Sequence, residues 1–310
     1  MCYYTASTTK KTGESIMNSI NFKPSTSRLH HTVENLTQTP RTCWDFDGQN
    51  EIIEDLYQQL EGFGYSEIEV QPFHNHLGQY QNLIVRINPT DQKRLVVGAH
   101  YDAVEGTSGA DDNASAVAGL LETARLLQPY SDQLSNLEFV FYSCEEPPFF
   151  GTPEMGSYVH AQSLKQQQIE AEAIILEMIG YFSEQPGSQN YPIPGMDLLF
   201  PSVGNFIALV SNRASKGLLK EAKKSFATAQ LEIGVESLAD PFNIPELGFS
   251  DHRNYWQFGF PALMVTDTAF MRNPHYHQPS DTIETLDFNK MAEVVKGICR
   301  SVLDRSGADQ

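Results

Sequence analysis

Four apolar runs in this chain each end in side chains that bind metals. Residues 95–99 lead into His100, residues 137–142 into Cys144, Glu145 and Glu146, residues 173–176 into Glu177, and residues 261–265 into a loop carrying His275, Tyr276 and His277. Asp111, Asp112 and Asn113 lie in the turn after the first run. Short, near-continuous apolar runs read as central strands covered on both faces. In open α/β sheets the ligand crevice lies outside the carboxyl ends of the strands. A sheet built from these runs therefore gathers two imidazoles and four carboxylates in one place. Nitrogen and oxygen ligands without thiolate suit a hydrolytic zinc site.

Composition narrows the partners. The formal charge is −18 over 310 residues, which argues against nucleic acid and anionic membranes, since both need basic patches. An acidic site attracts cations, including the α-amine of a peptide substrate. Cys2, Cys43, Cys144 and Cys299 are scattered with no CxxC spacing, so there is neither a zinc knuckle nor a disulfide framework. No stretch is long enough to span a membrane, and the N-terminus lacks the layout of a signal peptide. The expectation is a cytoplasmic protein.

Residues 1–27 are polar and aperiodic and read as a flexible N-terminal arm, followed by one catalytic domain over 28–310. Leu29, Val33 and Leu36 have the spacing of a short amphipathic helix, and residues 50–62 that of a longer one ended by Gly62 and Gly64. Residues 68–73 alternate like an edge strand, and residues 81–87 and 206–210 read as further strands. Helices are expected over 114–127, 155–164, 218–229 and 287–303. Residues 184–204, rich in Pro and Gly, read as a long surface loop, the kind that usually forms a functional rim or lid. The fold class is α/β: a single domain with a mixed, mostly parallel central sheet flanked by helices on both faces.

Charge counting says how many cations the cluster holds. Asp112, Glu145, Glu146 and Glu177 repel one another and raise each other's pKa. One Zn²⁺ offsets half of that charge and two offset all of it. Two metals per chain are therefore expected. Asp112, short and on a tight turn, is the natural bridge; one metal takes His100 and Glu177, the other Glu146 and His277. Two metals lower the pKa of a shared water, polarise a scissile carbonyl and steady the tetrahedral intermediate. Glu145 is left as general base and later general acid.

Five motifs then appear in order: Ala-His-Tyr-Asp at 99–102, Gly-Ala-Asp-Asp-Asn-Ala-Ser at 109–115, Cys-Glu-Glu-Pro at 144–147, Leu-Glu-Met-Ile-Gly at 176–180 and Tyr-His-Gln-Pro-Ser-Asp-Thr at 276–282. Together they resemble the di-zinc exopeptidase family of bacterial leucyl aminopeptidases and glutamate carboxypeptidases, from about Leu29 to Leu303. Smaller matches are Thr39-Pro40-Arg41, Gly156-Ser157 and Ser250-Asp251-His252. The resemblance implies a mixed sheet of about eight strands, Asp112 as bridging ligand and Glu145 as base. It also implies a cis peptide at Asp112–Asn113, Asp102 fixing the orientation of His100, and Tyr276 beside the tetrahedral intermediate. Glu177 departs from the pattern, since many two-metal aminopeptidases carry Asp there.

The functional expectation is a zinc-dependent exopeptidase, foremost an aminopeptidase, using a metal-activated water with Glu145 as base and Tyr276 as a further catalytic group. A carboxypeptidase or dipeptidase needs a cation for the terminal carboxylate, and Arg272 is the nearby candidate; it reads equally as a brace for its loop against Asp267 or Asp281. The alternative from another class is a glutaminyl cyclase with a single zinc; such cyclases tend to place Trp where this chain has Tyr276. A non-catalytic module of the transferrin-receptor ectodomain kind has lost ligands that are intact here. His252 reads either as a pocket-lining side chain or as a hydrogen-bonded loop histidine, His275 as a loop residue, and His74 and His76 as surface residues. Ser143 lacks a nucleophile elbow.

Overall fold

β-branched and aromatic residues dominate the apolar runs, and each run becomes a strand. The computed structural model describes residues 20–241 and 244–307. The strands are β1 (Ile68–His74), β2 (Gln79–Ile87), β3 (Arg94–His100), β4 (Leu137–Tyr142), β5 (Ala171–Glu177), β6 (Phe206–Ser211), β7 (Gly234–Ala239) and β8 (Ala262–Thr266). They form one sheet in the order β1-β2-β4-β3-β5-β8-β6-β7. The central block β4-β3-β5-β8 is parallel throughout, so its strands deliver their carboxyl ends to one edge. β1, β2 and the β6–β8 pairing are antiparallel, while β6 and β7 run parallel. The expected mixed eight-stranded α/β domain is the one found.

Seven α-helices cover the sheet among the described residues: α1 (Thr26–Gln38), α2 (Phe46–Phe63), α3 (Ala116–Leu127), α4 (Gly156–Gln166), α5 (Lys216–Thr228), α6 (His252–Gln257) and α7 (Phe288–Ser306). Strand alternation sorts the core. Val97, Phe139, Phe141, Ile174 and Leu176 face the larger layer with α1–α3, α5 and α7, whereas Val96, Val140, Ala173 and Ile175 face α4 and α6. Asp287 caps α7, accepting from the N–H groups of Asn289 and Lys290, and so starts a helix whose apolar stripe is buried. No helix among the described residues is long and apolar enough to cross a membrane.

The expected arm of residues 1–27 falls outside the described residues as far as 19. Residues 20–27 depart from it. Phe22 is buried and meets the Tyr130 ring edge-on at 6.2 Å. The Ser25 N–H donates to Glu122 at 2.7 Å, and its hydroxyl caps α1. One aromatic in a polar stretch carries no periodic signal, so docking here is invisible in the pattern; the folded part begins before residue 28. β7 and α6 were also absent from the expectation. β7 reads Gly-Val-Glu-Ser-Leu-Ala and is only half-buried at the sheet edge, and α6 is less than two turns long.

Candidate metal centre

The centre forms where β3, β4, β5 and β8 stop. His100 is the last residue of β3 and Glu177 the last of β5. After β4 the chain turns through Cys144, whose φ is +61°; this left-handed kink lets the adjacent Glu145 and Glu146 both reach the site. Asp112 sits in a tight segment between Gly109 and α3, and the Asp112–Asn113 peptide is cis, as the resemblance implied. His277, at φ +55°, hangs from the loop after β8.

All five expected ligands and the expected base meet there. His100 Nε2 is 3.5 Å from Asp112 Oδ1 and 3.3 Å from Glu177 Oε2. His277 Nε2 is 3.1 Å from Asp112 Oδ2 and 3.4 Å from Glu146 Oε2. Asp112 thus turns one oxygen to each imidazole. Two three-residue groups share it, His100–Asp112–Glu177 and Asp112–Glu146–His277. Glu145 Oε2 lies 3.8 Å from His100 Nε2, and Glu145 also groups with His100 and Glu146 at ligand spacing. Tyr276 stacks on His277 with ring centroids 3.8 Å apart.

The electrostatics demand positive charge. Burial, with His100 opposing and the Glu146 and Glu177 charges adding, raises the pKa of Glu145 well above the carboxylate range. Burial and the Asp112 charge push Glu146 up to about 8. Burial also raises Glu177, against the pull of His100. Burial opposes ionisation of Asp112 as well, but the facing His100 and His277 imidazoles win and hold it below the usual range. The buried His100 Nε2 and Glu146 Oε1 make no hydrogen bond. Buried polar atoms ordinarily have a partner. A set of two imidazoles and four carboxylates with unpartnered atoms aimed inward fits divalent cations.

A second set of residues holds these side chains, and sequence reasoning caught it only in part. His100 Nδ1 is hydrogen-bonded to the main-chain oxygen of Asp102 at 3.3 Å, while the Asp102 carboxylate, which the resemblance implied as its partner, lies 3.5 Å away. That carboxylate accepts from the N–H groups of Glu145 and Glu146, each at 3.1 Å. Asp281 accepts from the N–H groups of Asp111 and Asp112. Asn113 donates to Leu176 O and accepts from Met178 N–H, locking the turn to the end of β5. Ser250 Oγ donates to Glu177 Oε2 at 2.7 Å. Arg41 donates to Ser108 O and Gly109 O, tying the chain after α1 to the same turn. Asp281, Ser250 and Arg41 all lie inside motifs noted in the sequence; the signal was present without a role attached.

The remaining candidates fall outside the centre. His252 is buried, bonded to Leu247 O at 2.8 Å, and burial lowers its pKa to about 4. His275 contacts Ser280 Oγ and His76 contacts Glu154. Ser143 Oγ donates to Gln49. Arg272 packs against the Phe206 and Phe182 rings and donates to Gln189 and Tyr181 O, so it braces the loop around it.

Beside the centre opens an apolar pocket that shares Glu177 and Tyr276 with it. Its floor is the sheet itself. Phe206, Ala208 and Val210 alternate along β6, with Met264 on β8, and no α-helix among the described residues joins that cluster. The expected surface loop of 184–204 supplies a wall through Tyr191, Met196 and Phe200. That wall is anchored by Asn190 N–H to Met271 O and by Tyr191 Oη to Pro201 O.

With this geometry in place, comparisons with known proteins become specific. The profile of peptidase family M28 matches residues 82–302, the span that holds every residue of the centre. The uncharacterized protein YfbL of Escherichia coli K12 is 42% identical over 295 residues, 90% of each chain. Leucine aminopeptidase 1 of Blastomyces gilchristii is 26% identical over 261 residues, 79% of this chain but only 61% of that protein. Among solved structures, the LapA aminopeptidase of Legionella pneumophila superposes with a TM-score of 0.72 at 17% identity, over 99% of this chain and 79% of that one. The glutaminyl cyclase of Bacteroides thetaiotaomicron reaches 0.67 at 18% identity, over 93% and 100%. At such identities the two structures speak for the fold alone.

Proposed function

The chain belongs to peptidase family M28 and is a peptide hydrolase; from that premise we propose that it is a two-zinc aminopeptidase that removes N-terminal residues from peptides. The observation that carries this reading is the divided carboxylate of Asp112, with one oxygen toward His100 and the other toward His277. Each half then has its own carboxylate, Glu177 on one side and Glu146 on the other. His100, Asp112 and Glu177 would hold one zinc, and Asp112, Glu146 and His277 the second. When bound, the cations lower the pKa of water and polarise the scissile carbonyl.

The chain's own groups do the rest. Glu145 takes the proton from the water whose oxygen attacks the carbonyl carbon, then returns it to the departing amine as the C–N bond breaks. Tyr276, beside His277 and bordering the pocket, donates a hydrogen bond from its hydroxyl to the oxygen of the tetrahedral intermediate. The carboxylate edges of the centre attract the substrate's α-ammonium. Arg272 is held between aromatic rings as a brace, which leaves a carboxypeptidase without its cation. The cyclase alternative needs a single zinc and N-terminal glutamine.

The test measures metal content and products together. The proposal expects two zinc ions per chain, release of the first residue from unblocked peptides, and no cleavage of their N-acetylated forms. One zinc per chain with pyroglutamyl product from Gln-peptides would establish the cyclase instead. Preferred cleavage of N-blocked peptides at the C-terminus would establish a carboxypeptidase.

A further inference from the structure

The pocket beside the centre carries two carboxylates that the reaction does not use. Glu236 on β7 and Glu246 in the turn after it both line it. Strand register fixes where Glu236 stands. Glu177 pairs with Thr266, Thr266 with Ala208, and Ala208 with Glu236. One transverse row therefore crosses four strands on one face of the sheet, from a residue of the centre to Glu236. Three strand spacings put the two ends roughly 14 Å apart.

The residues along that row shape what can lie over it. Ala208 and Thr266 are small, so the floor between the ends is low. Met196, Met264 and Met271 line the pocket and give soft, adaptable surfaces suited to an unbranched methylene chain. Neither Glu236 nor Glu246 has an ion pair or side-chain hydrogen bond with a described residue. Both are half-exposed at the pocket's edge, where a carboxylate can pair with a cation that enters along the apolar walls. An extended lysine or arginine side chain reaches about 6–7 Å, long enough to carry its charged end from the edge of the centre over the low floor toward the β7 end of the row.

We propose that this pocket receives the side chain of the substrate's N-terminal residue and selects lysine or arginine, with Glu236 as the principal counter-charge and Glu246 assisting from the wall. This deepens the aminopeptidase reading and rests on it. The apolar walls hold the methylene stem, and the carboxylates pair with its charged end.

The experiment compares kcat/KM of the zinc-loaded protein for lysyl, arginyl, norleucyl, leucyl and glutamyl p-nitroanilides. Norleucine keeps the lysine stem and lacks the charge. The expected lysine-to-norleucine ratio is at least tenfold. Glu236→Gln should lower that ratio at least tenfold and Glu246→Gln by a smaller factor. Glu236→Arg should raise glutamyl over lysyl turnover, a gain that misfolding cannot mimic. A wild-type ratio of one or less, or a ratio unmoved by Glu236→Gln, overturns the assignment while leaving an aminopeptidase with an apolar pocket. Failure to cleave every aminoacyl substrate overturns both readings.

Discussion

The carboxylate of Asp102 accepts a hydrogen bond from the backbone N–H of Glu146 at 3.1 Å. Its other oxygen takes the N–H of Glu145. One buried side chain thus fixes the backbone that presents both a ligand and the proposed base. An amide in its place has one acceptor and sets an N–H against an N–H. Asp102→Asn should therefore weaken zinc binding about 10–100-fold, read by chelator competition, with the far-UV circular dichroism unchanged. Zinc affinity within twofold of wild type would show that Asp102 is dispensable.

Glu145 lies 3.8 Å from His100 Nε2, close enough to serve as a ligand and well placed to move a proton. The two roles separate on substitution. Glu145→Gln keeps the shape and removes the base, so turnover of aminoacyl substrates should fall about 10²–10⁴-fold while two zinc ions remain bound. Loss of one zinc together with activity would make Glu145 a ligand instead.

Most of this centre was legible because strand ends are legible. His100 and Glu177 close apolar runs, and a run that stops at a charged residue marks both the strand and the edge where its ligand sits. What the pattern hid is three-dimensional. Asp281 is 169 residues from Asp112 in sequence and meets its N–H; no spacing rule connects them. β7 was missed because Glu236 and Ser237, adjacent and on opposite faces, interrupt any apolar alternation in so short a strand. Phe22 was missed because one buried aromatic has no period.

Metal-free protein should become less stable as pH rises. Burial and the Asp112 charge raise Glu146 from 4.5 to about 8. Hydrogen bonds to Asp112 and Glu146, against the effect of burial, raise His277 from 6.5 to about 10. A group whose folded pKa lies above its unfolded value stabilises the protein fully below the unfolded pKa, and that contribution disappears as pH climbs through the folded one. The Tm of chelated protein should therefore fall between pH 5.5 and 8.5. Zinc competes with those protons, so the zinc-induced rise in Tm should be larger at pH 8.5. Equal rises at both pH values, by differential scanning fluorimetry, would contradict the geometry.

Acid should act on a different site. Glu138, buried in β4, meets Arg94 Nη1 at 2.9 Å, Arg86 Nε at 2.8 Å and His160 Nε2 at 3.2 Å. Burial opposes its ionisation, but His160 and the two guanidinium groups prevail and bring its pKa from 4.5 down to about 2. A depressed carboxylate stabilises above its unfolded pKa and loses that contribution as pH falls through the folded value. A shift of this size corresponds to about 3 kcal/mol. Removing the charge leaves the Arg94 guanidinium and the His160 ring buried without their partner, a loss of about 3–5 kcal/mol. Glu138→Gln should therefore lower the urea midpoint of zinc-loaded protein at pH 7. Between pH 4.5 and 2 the variant's stability should fall less steeply than that of wild type, because the titrating group is gone. A variant that matches wild type in both its midpoint at neutral pH and its acid slope would mean that this buried network contributes nothing to the fold.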